Sequence, residues 1–219
     1  PFHEWLFRSA DIDRCVLNIG GIANITVLPA EPGPIGGFDT GPGNTLMDAW
    51  SRRHRQIAFD DGGRWAASGN TITPLLEAML EDPYFAGLPP KSTGFEYFND
   101  AWLSRLVPED ADCADVQATL ADLTATTIAD AIRLHATGTR ELLICGGGAH
   151  NRDLIRRLED RLAQISLAST ADFGLDPDHV EAAAFAWLAM RTLNGEPGNA
   201  PEVTGAGRKT VLGAIHRAG

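Results

Sequence analysis

Two carboxylates and two runs of glycine stand where this chain could do chemistry. Asp39 lies in Gly37-Phe38-Asp39-Thr40-Gly41-Pro42-Gly43-Asn44. It is an acid at the end of an extended run, among residues that cannot continue as a helix. A carboxylate placed there can project into a cleft and take a proton from an attacking hydroxyl or water, the general-base role used in phosphoryl transfer. The competing reading is an Asp that turns the chain or caps the next helix. Gly41-Pro42-Gly43-Asn44 already offers turn chemistry and a cap, which weakens it.

The first glycine run is Val16-Leu17-Asn18-Ile19-Gly20-Gly21-Ile22-Ala23-Asn24, and the second is Leu142-Leu143-Ile144-Cys145-Gly146-Gly147-Gly148-Ala149. In each, a short apolar run stops at consecutive glycines, which let the backbone turn sharply and let its N–H groups approach an anion. Gly20 and Gly21 read either as a plain hairpin turn or as a phosphate cradle to which Asn18 or Asn24 adds a donor. Gly146, Gly147 and Gly148 are more than a strand needs to leave a sheet, and suggest a flat surface against which a ligand lies. His150 reads as a surface or capping histidine, and Asp60-Asp61-Gly62-Gly63 as a solvated loop. Glu181 opens an otherwise apolar helix. There it serves the helix dipole or stands on a cleft wall and accepts hydrogen bonds from sugar hydroxyls.

Positioning these groups requires strands that end near one another. Apolar patterning predicts strands over 15–19, 22–28, 35–38, 141–145 and 165–168, with a loop over 29–34. Helices are expected over 44–55, 73–80, 115–136, 151–163 and 180–193, the fourth with Asn151 as N-cap. In the longest, Val116, Leu120, Leu123, Thr127, Ile128, Ile132 and Leu134 fit a buried face. Residues 56–100 break the rhythm and read as an insertion carrying surface loops. The second half alternates helix and strand, which implies an α/β fold with helices on both faces of the sheet.

The 219 residues, 44% of them hydrophobic, suffice for a normal core. A formal charge of −11 lacks the basic stripe that a duplex nucleic acid requires. It leaves nucleotides open, because a few N–H groups and one Mg²⁺ neutralise phosphates locally. Cys15, Cys113 and Cys145 are too few and scattered for a disulfide framework or a zinc site. No run reaches the roughly 20 apolar residues of a membrane span. No leader pattern is visible, so no membrane partner and a reducing, cytoplasmic setting are expected. Because it begins at Pro1, the chain is read as a fragment or processed product.

Together these stretches resemble the ordered motifs of the anhydro-N-acetylmuramic acid kinase family. So do Pro90-Lys91-Ser92-Thr93-Gly94, Val180-Glu181-Ala182-Ala183-Ala184-Phe185-Ala186-Trp187, Pro197-Gly198-Asn199 and Val203-Thr204-Gly205-Ala206. The resemblance implies one lobe, the C-terminal one over 1–219, of an actin-like (ribonuclease H-like) two-lobe ATPase fold with ATP in the cleft. It implies ATP with Mg²⁺, and a double reaction in which water opens the 1,6-anhydro bond while O6 takes the γ-phosphoryl group. The product is N-acetylmuramic acid 6-phosphate, in bacterial peptidoglycan recycling. Asp39 resembles the base, and Thr40, Gly41, Asn44 and Glu181 substrate contacts. Gly20, Gly21 and Asn24 resemble the second phosphate turn, and Gly146, Gly147 and Gly148 the adenosine turn; no metal ligand is assigned. The implied partners are the amino sugar and the N-terminal lobe of the same enzyme, with a homodimer left open. The family's first phosphate loop has no counterpart in the sequence, so the chain alone is expected to be inactive or very weak. Phe95 stands where the family usually has arginine, a change that bears on anionic substrate contacts or only on a surface ion pair. The alternatives are another actin-like sugar or acid kinase, and a non-catalytic nucleotide-binding module.

Overall fold

The computed structural model describes residues 1–30 and 33–216; part of the loop expected over 29–34 lies outside the described residues. Five strands form one sheet in the order β3-β2-β1-β4-β5. They are β1 (Arg14–Ile19), β2 (Ile22–Leu28), β3 (Gly36–Pro42), β4 (Glu141–Cys145) and β5 (Ser166–Ser169). β2 runs antiparallel to β1 and β3, while β1, β4 and β5 are parallel. The sheet is mixed because the first half of the chain turns back in hairpins and the second half returns through helices.

Alternation along β1 fixes the two layers. Cys15, Leu17 and Ile19 face one side, with Ala23, Ile25 and Ile144. They are covered by α2 (Thr45–Arg55), α6 (Cys113–His135) and α7 (Arg152–Arg161), through Leu46, Met47, Leu120, Leu123, Ile128 and Leu154. Val16, Leu28, Leu143 and Cys145 face the other side. They pack against Phe2 and Phe7 of α1 (Phe2–Phe7) and Val180 and Trp187 of α8 (Val180–Leu193). A helix layer therefore covers each face, as expected.

The expected helices form with small shifts at their ends. Asp112 caps α6, accepting from the N–H groups of Ala114 and Asp115 at 2.8 and 3.1 Å. Leu134, assigned to the buried face of α6, is 71% exposed; by that last turn the helix has run past the core. Asn151 caps α7 as expected, accepting from the Leu154 N–H at 3.0 Å. A buried ion network fastens α7 to α6. Arg157 donates to Asp122 and to Asp153, each at 2.6 Å, and Arg161 donates to Asp122 at 2.8 Å.

Residues 56–100 are more than surface loops. They carry α3 (Thr73–Leu80) and α4 (Pro83–Ala86) and lead into α5 (Asp100–Ser104); the short helix α9 (Pro201–Thr204), near the other end of the chain, packs against β3 instead. Leu75, Met79 and Phe98 are buried in the main core. Asp60, expected in a solvated loop, is buried and accepts from the N–H groups of Trp65 and Ala66, both at 2.9 Å. It organises this stretch because a buried polar group must find hydrogen-bond partners, and here two backbone N–H groups supply them.

Candidate functional site

Register brings three of the expected polar groups into one row. Asn18 on β1 pairs with Asn24 on β2, and Asn24 pairs with Asp39 on β3. Cross-strand partners share a face, so the two amides and the carboxylate line up across the sheet, all half-exposed. Cys145 on β4 extends the row, opposite Asn18.

A β-bulge ends the row. Ala23 pairs with Gly41 while Asn24 pairs with Asp39, so Thr40 is an extra residue in β3. Such bulges re-aim the side chains beside them. Thr40 is buried, and its hydroxyl donates to the Ala23 carbonyl at 3.2 Å. Gly41 has φ +149°, and a Cβ there would lie 2.8 Å from Cε1 of Phe85. The shape of the strand thus accounts for Thr40 and Gly41, two of the four residues expected to touch substrate.

Asp39 is held from the far side by the loop 88–94. Its N–H donates to the Lys91 carbonyl at 3.1 Å, and the Thr93 N–H donates to its Oδ2 at 2.9 Å. Tyr84 donates its hydroxyl to the Asp39 carbonyl at 2.7 Å, and Lys91 Nζ donates to the Tyr84 carbonyl at 3.0 Å. No donor among the described residues reaches Oδ1. Burial pushes the Asp39 carboxyl above the usual aspartate value, and the Thr93 hydrogen bond opposes this. A carboxylate with one anchored oxygen, one open oxygen and raised basicity is suited to accept a proton.

Both glycine turns follow the C-terminal ends of parallel neighbours, β1 and β4, and so lie at one edge of the sheet. Gly20 and Gly21 do form the hairpin turn between β1 and β2. Their carbonyls accept from the N–H groups of Gly43, Asn44 and Thr45 at 2.8, 2.8 and 3.1 Å, which docks the start of α2 on the turn. Asn44, expected to cap α2, makes no side-chain cap; its amide donates to the Ile19 carbonyl at 3.1 Å. The carbonyls of the turn replace the cap.

The three glycines after β4 divide by environment. A Cβ on Gly146, which has φ +79°, would lie 2.4 Å from Asn18 Oδ1, and one on Gly148 would lie 2.3 Å from Ile19 Cγ2. Close packing on β1 explains both. At Gly147 the nearest atom is Asn44 Nδ2 at 3.9 Å. Gly147 faces a cleft of about 550 Å³, lined also by Asn44, Met47, Asp48, His150 and Asn151. His150 pairs with Asp178 at 2.9 Å and lines a second cleft beside it, of about 410 Å³.

Glu181 is exposed in the first turn of α8 and lines neither of these clefts. Phe95 is 77% exposed. Sequence reading did not single out Thr93, Lys91 and Tyr84 as neighbours of Asp39, nor Asp48 as a cleft residue. The motif around Thr93 was visible, but its contact with Asp39 is long-range.

The family described as anhydro-N-acetylmuramic acid kinase matches residues 1–218. The chain belongs to that family. It is 50% identical over 218 residues to the anhydro-N-acetylmuramic acid kinase of Xylella fastidiosa, covering 99% of this chain and 57% of that protein. Its identity to the kinase of the same name from Thiobacillus denitrificans is 49% over 221 residues, covering 99% and 59%. The chain thus spans less than two thirds of the length of these relatives. Among solved structures, it has a TM-score of 0.48 and 15% identity to the activator of 2-hydroxyisocaproyl-CoA dehydratase from Clostridium difficile, covering 77% of this chain and 56% of that one. No helix among the described residues is long and apolar enough to cross a membrane.

Proposed function

We propose that this chain is the C-terminal lobe of an ATP-dependent kinase that opens 1,6-anhydro-N-acetylmuramic acid and phosphorylates it to N-acetylmuramic acid 6-phosphate, in cytoplasmic recycling of cell-wall sugars. The observation that carries the reading is the state of Asp39, with Oδ2 tied to the Thr93 N–H and Oδ1 open. Water attacks C1 of the sugar and gives a proton to Asp39. The C1–O6 bond breaks, and the freed O6 takes the γ-phosphoryl group from ATP. ADP leaves, and the proton on Asp39 passes to solvent.

Family membership at 50% identity supports this substrate. The shared edge of the two glycine turns supports a nucleotide running from the Gly147 cleft past Gly20 and Gly21 toward the Asp39 row. Mg²⁺ binds mainly through phosphates and water with one or two carboxylates. That mode needs no cluster of three His, Cys, Asp or Glu, and the described residues contain none. When bound, Mg²⁺ supplies charge neutralisation of the phosphates.

The remaining length of the relatives is proposed to supply the opposite cleft wall, so this chain alone is inactive or very weak. Phosphoryl transfer depends on holding the γ-phosphate from both sides. Phe185, Met190 and Leu193 on α8 are exposed, an apolar face that a further lobe or a second copy would bury. The test is to supply ATP and the anhydro sugar to the protein at the full length of its relatives. ADP and the 6-phosphate forming in equal amounts is the expected result. ATP consumed with no sugar phosphate formed contradicts the assignment.

A further inference from the structure

Lys91 is a half-buried cation that pairs with no carboxylate among the described residues. Its Nζ donates instead to the Tyr84 and Phe85 carbonyls, at 3.0 and 3.3 Å, and lies 4.6 Å from the centre of the Tyr84 ring. Burial lowers its pKa, so the fold holds this charge against desolvation. Both carbonyls belong to α4, and capping that short helix is one account of the ammonium. The main chain around Lys91 points to a second.

The Lys91 carbonyl accepts from the Asp39 N–H at 3.1 Å, and two residues further on the Thr93 N–H donates to Asp39 Oδ2 at 2.9 Å. Tyr84, whose carbonyl holds the ammonium, donates its hydroxyl to the Asp39 carbonyl at 2.7 Å. Contacts therefore close from α4 through the loop 88–94 to β3 and back. Asp39 sits among them with its N–H, its C=O and one carboxylate oxygen engaged. The Thr93 hydroxyl is buried without a partner among the described residues, so the N–H is what that residue supplies here. The loop has no regular secondary structure to fix it, and Lys91 is the residue that ties it to both α4 and β3.

Other titratable groups stand nearby. Asp130 and His135 of α6 line a cavity of about 280 Å³ with Lys91, Phe38 and Thr40, and Glu202 of α9 lines a different cleft. Burial and the Asp39 charge hold the Tyr84 phenol above its usual value, so it stays a donor. What sets the Asp39 carboxyl is burial, which raises it, and the Thr93 bond, which lowers it. The Lys91 ammonium thus acts on Asp39 through the position of the loop.

We propose that Lys91 is a positioning residue for the proton-accepting step: its ammonium fixes the loop so that the Thr93 N–H holds Asp39 Oδ2 and leaves Oδ1 for the attacking water. This rests on the reading of Asp39 as the base and adds the device that sets its orientation and basicity.

The test uses the protein at the full length of its relatives, as wild type, Lys91→Met, Lys91→Arg and Asp39→Asn. The Asp39 carboxyl is titrated by carboxyl-carbon NMR without substrate, with Asp39→Asn assigning its signal, and kcat, KM and melting temperature are measured alongside. Lys91→Met keeps the length of the stem and loses the donors. It raises the Asp39 midpoint by about one pH unit, because the hydrogen bond that lowers it is lost. In the same variant kcat falls about tenfold while KM for both substrates stays within about twofold, since orientation of the base matters in the transition state. Lys91→Arg, which can donate to the same carbonyls, returns the midpoint toward wild type. An unchanged midpoint in folded Lys91→Met, whatever its melting temperature, makes Lys91 a cap of α4 and overturns the proposal. A raised KM with unchanged kcat does the same. If Lys91→Met does not fold, Lys91→Gln, which keeps an amide donor on a shorter stem, is judged by the same midpoint. A wild type that forms no sugar phosphate overturns both this proposal and the kinase reading, whereas a fixed midpoint overturns the role of Lys91 alone.

Discussion

Asp39 and Asp48 are both half-buried carboxylates raised by desolvation, yet they were unequally legible. Asp39 stood out because it follows a short extended run in a segment that cannot be helical. The expected strand over 35–38 in fact continues through it, so that Asp39 lies inside β3 rather than at its end. Its anchor, the Thr93 N–H, lies 54 positions away and could not be read from local pattern. Asp48 was hidden, since an acid in the first turn of a helix is what the helix dipole favours anyway. Its pKa makes a stability prediction with a definite sign. The folded value of about 6 exceeds the unfolded 3.8, so the folded chain holds this proton more tightly. The stability it contributes is full below the unfolded pKa and is lost as pH rises through the folded one. Asp48→Asn therefore raises the melting temperature near neutral pH and leaves it unchanged below about pH 3.8. In a chain of this length each kcal/mol relieved corresponds to about 2–4 °C. Melting curves across that range check it; a variant less stable than wild type at neutral pH contradicts it.

At the scale of elements, existence was legible and terminal detail was not. Runs of alternating or helical period specified all five strands and the main helices, because one-sided burial imposes that period. Two misreadings have physical causes. Asn44 looked like a cap by type, but the Gly20 and Gly21 carbonyls already satisfy the start of α2. Asp60 looked solvated because its partners are backbone N–H groups, which no side-chain pattern reveals. The bulge at Thr40 was also invisible, being a property of register between two strands. The support behind it is aromatic. Phe85 stacks on Phe98 at 5.5 Å, and Phe98 meets Trp102 edge-on at 5.2 Å. Phe98 is fully buried, so Phe98→Ala costs about 3–5 kcal/mol. A lowered denaturant midpoint with an unchanged slope is the expected reading. A second expectation is Gly41→Ala, which sets a Cβ against Phe85 at a φ that L residues rarely adopt. It destabilises by roughly 1–3 kcal/mol; a midpoint equal to wild type would refute the packing account of Gly41.

For the molecule as a whole, the helix layer on each sheet face follows from the sequence alternation, and the site follows from where β1 and β4 both stop. The outer face of α8 is the part the described residues leave unexplained by their own packing. Trp187 on its inner side is buried beneath Trp5, with ring centroids 6.3 Å apart, whereas Trp5, Phe185 and Leu193 are exposed. The 219-residue chain is expected to bind an apolar dye, and Phe185→Ser with Leu193→Ser to reduce that signal. Exposed side chains carry little folding energy, so melting temperature should hold within about 2 °C. Dye binding unchanged by the double substitution would place the apolar surface elsewhere.

The central claim is that Asp39 takes the proton of the attacking water, and Asp39→Asn tests it most directly. The amide keeps the size of the side chain and can still accept from the Thr93 N–H, but it cannot take a proton at neutral pH. In the protein at the full length of its relatives, kcat, ATP affinity and melting temperature are measured on this one variant. The account predicts a fall in kcat of about 10²–10⁴, equivalent to ~3–5 kcal/mol of transition-state stabilisation, with ATP affinity and melting temperature retained. Turnover within about threefold of wild type, or a loss that only tracks a fall in folded protein, contradicts it and makes Asp39 a structural residue of the bulged strand.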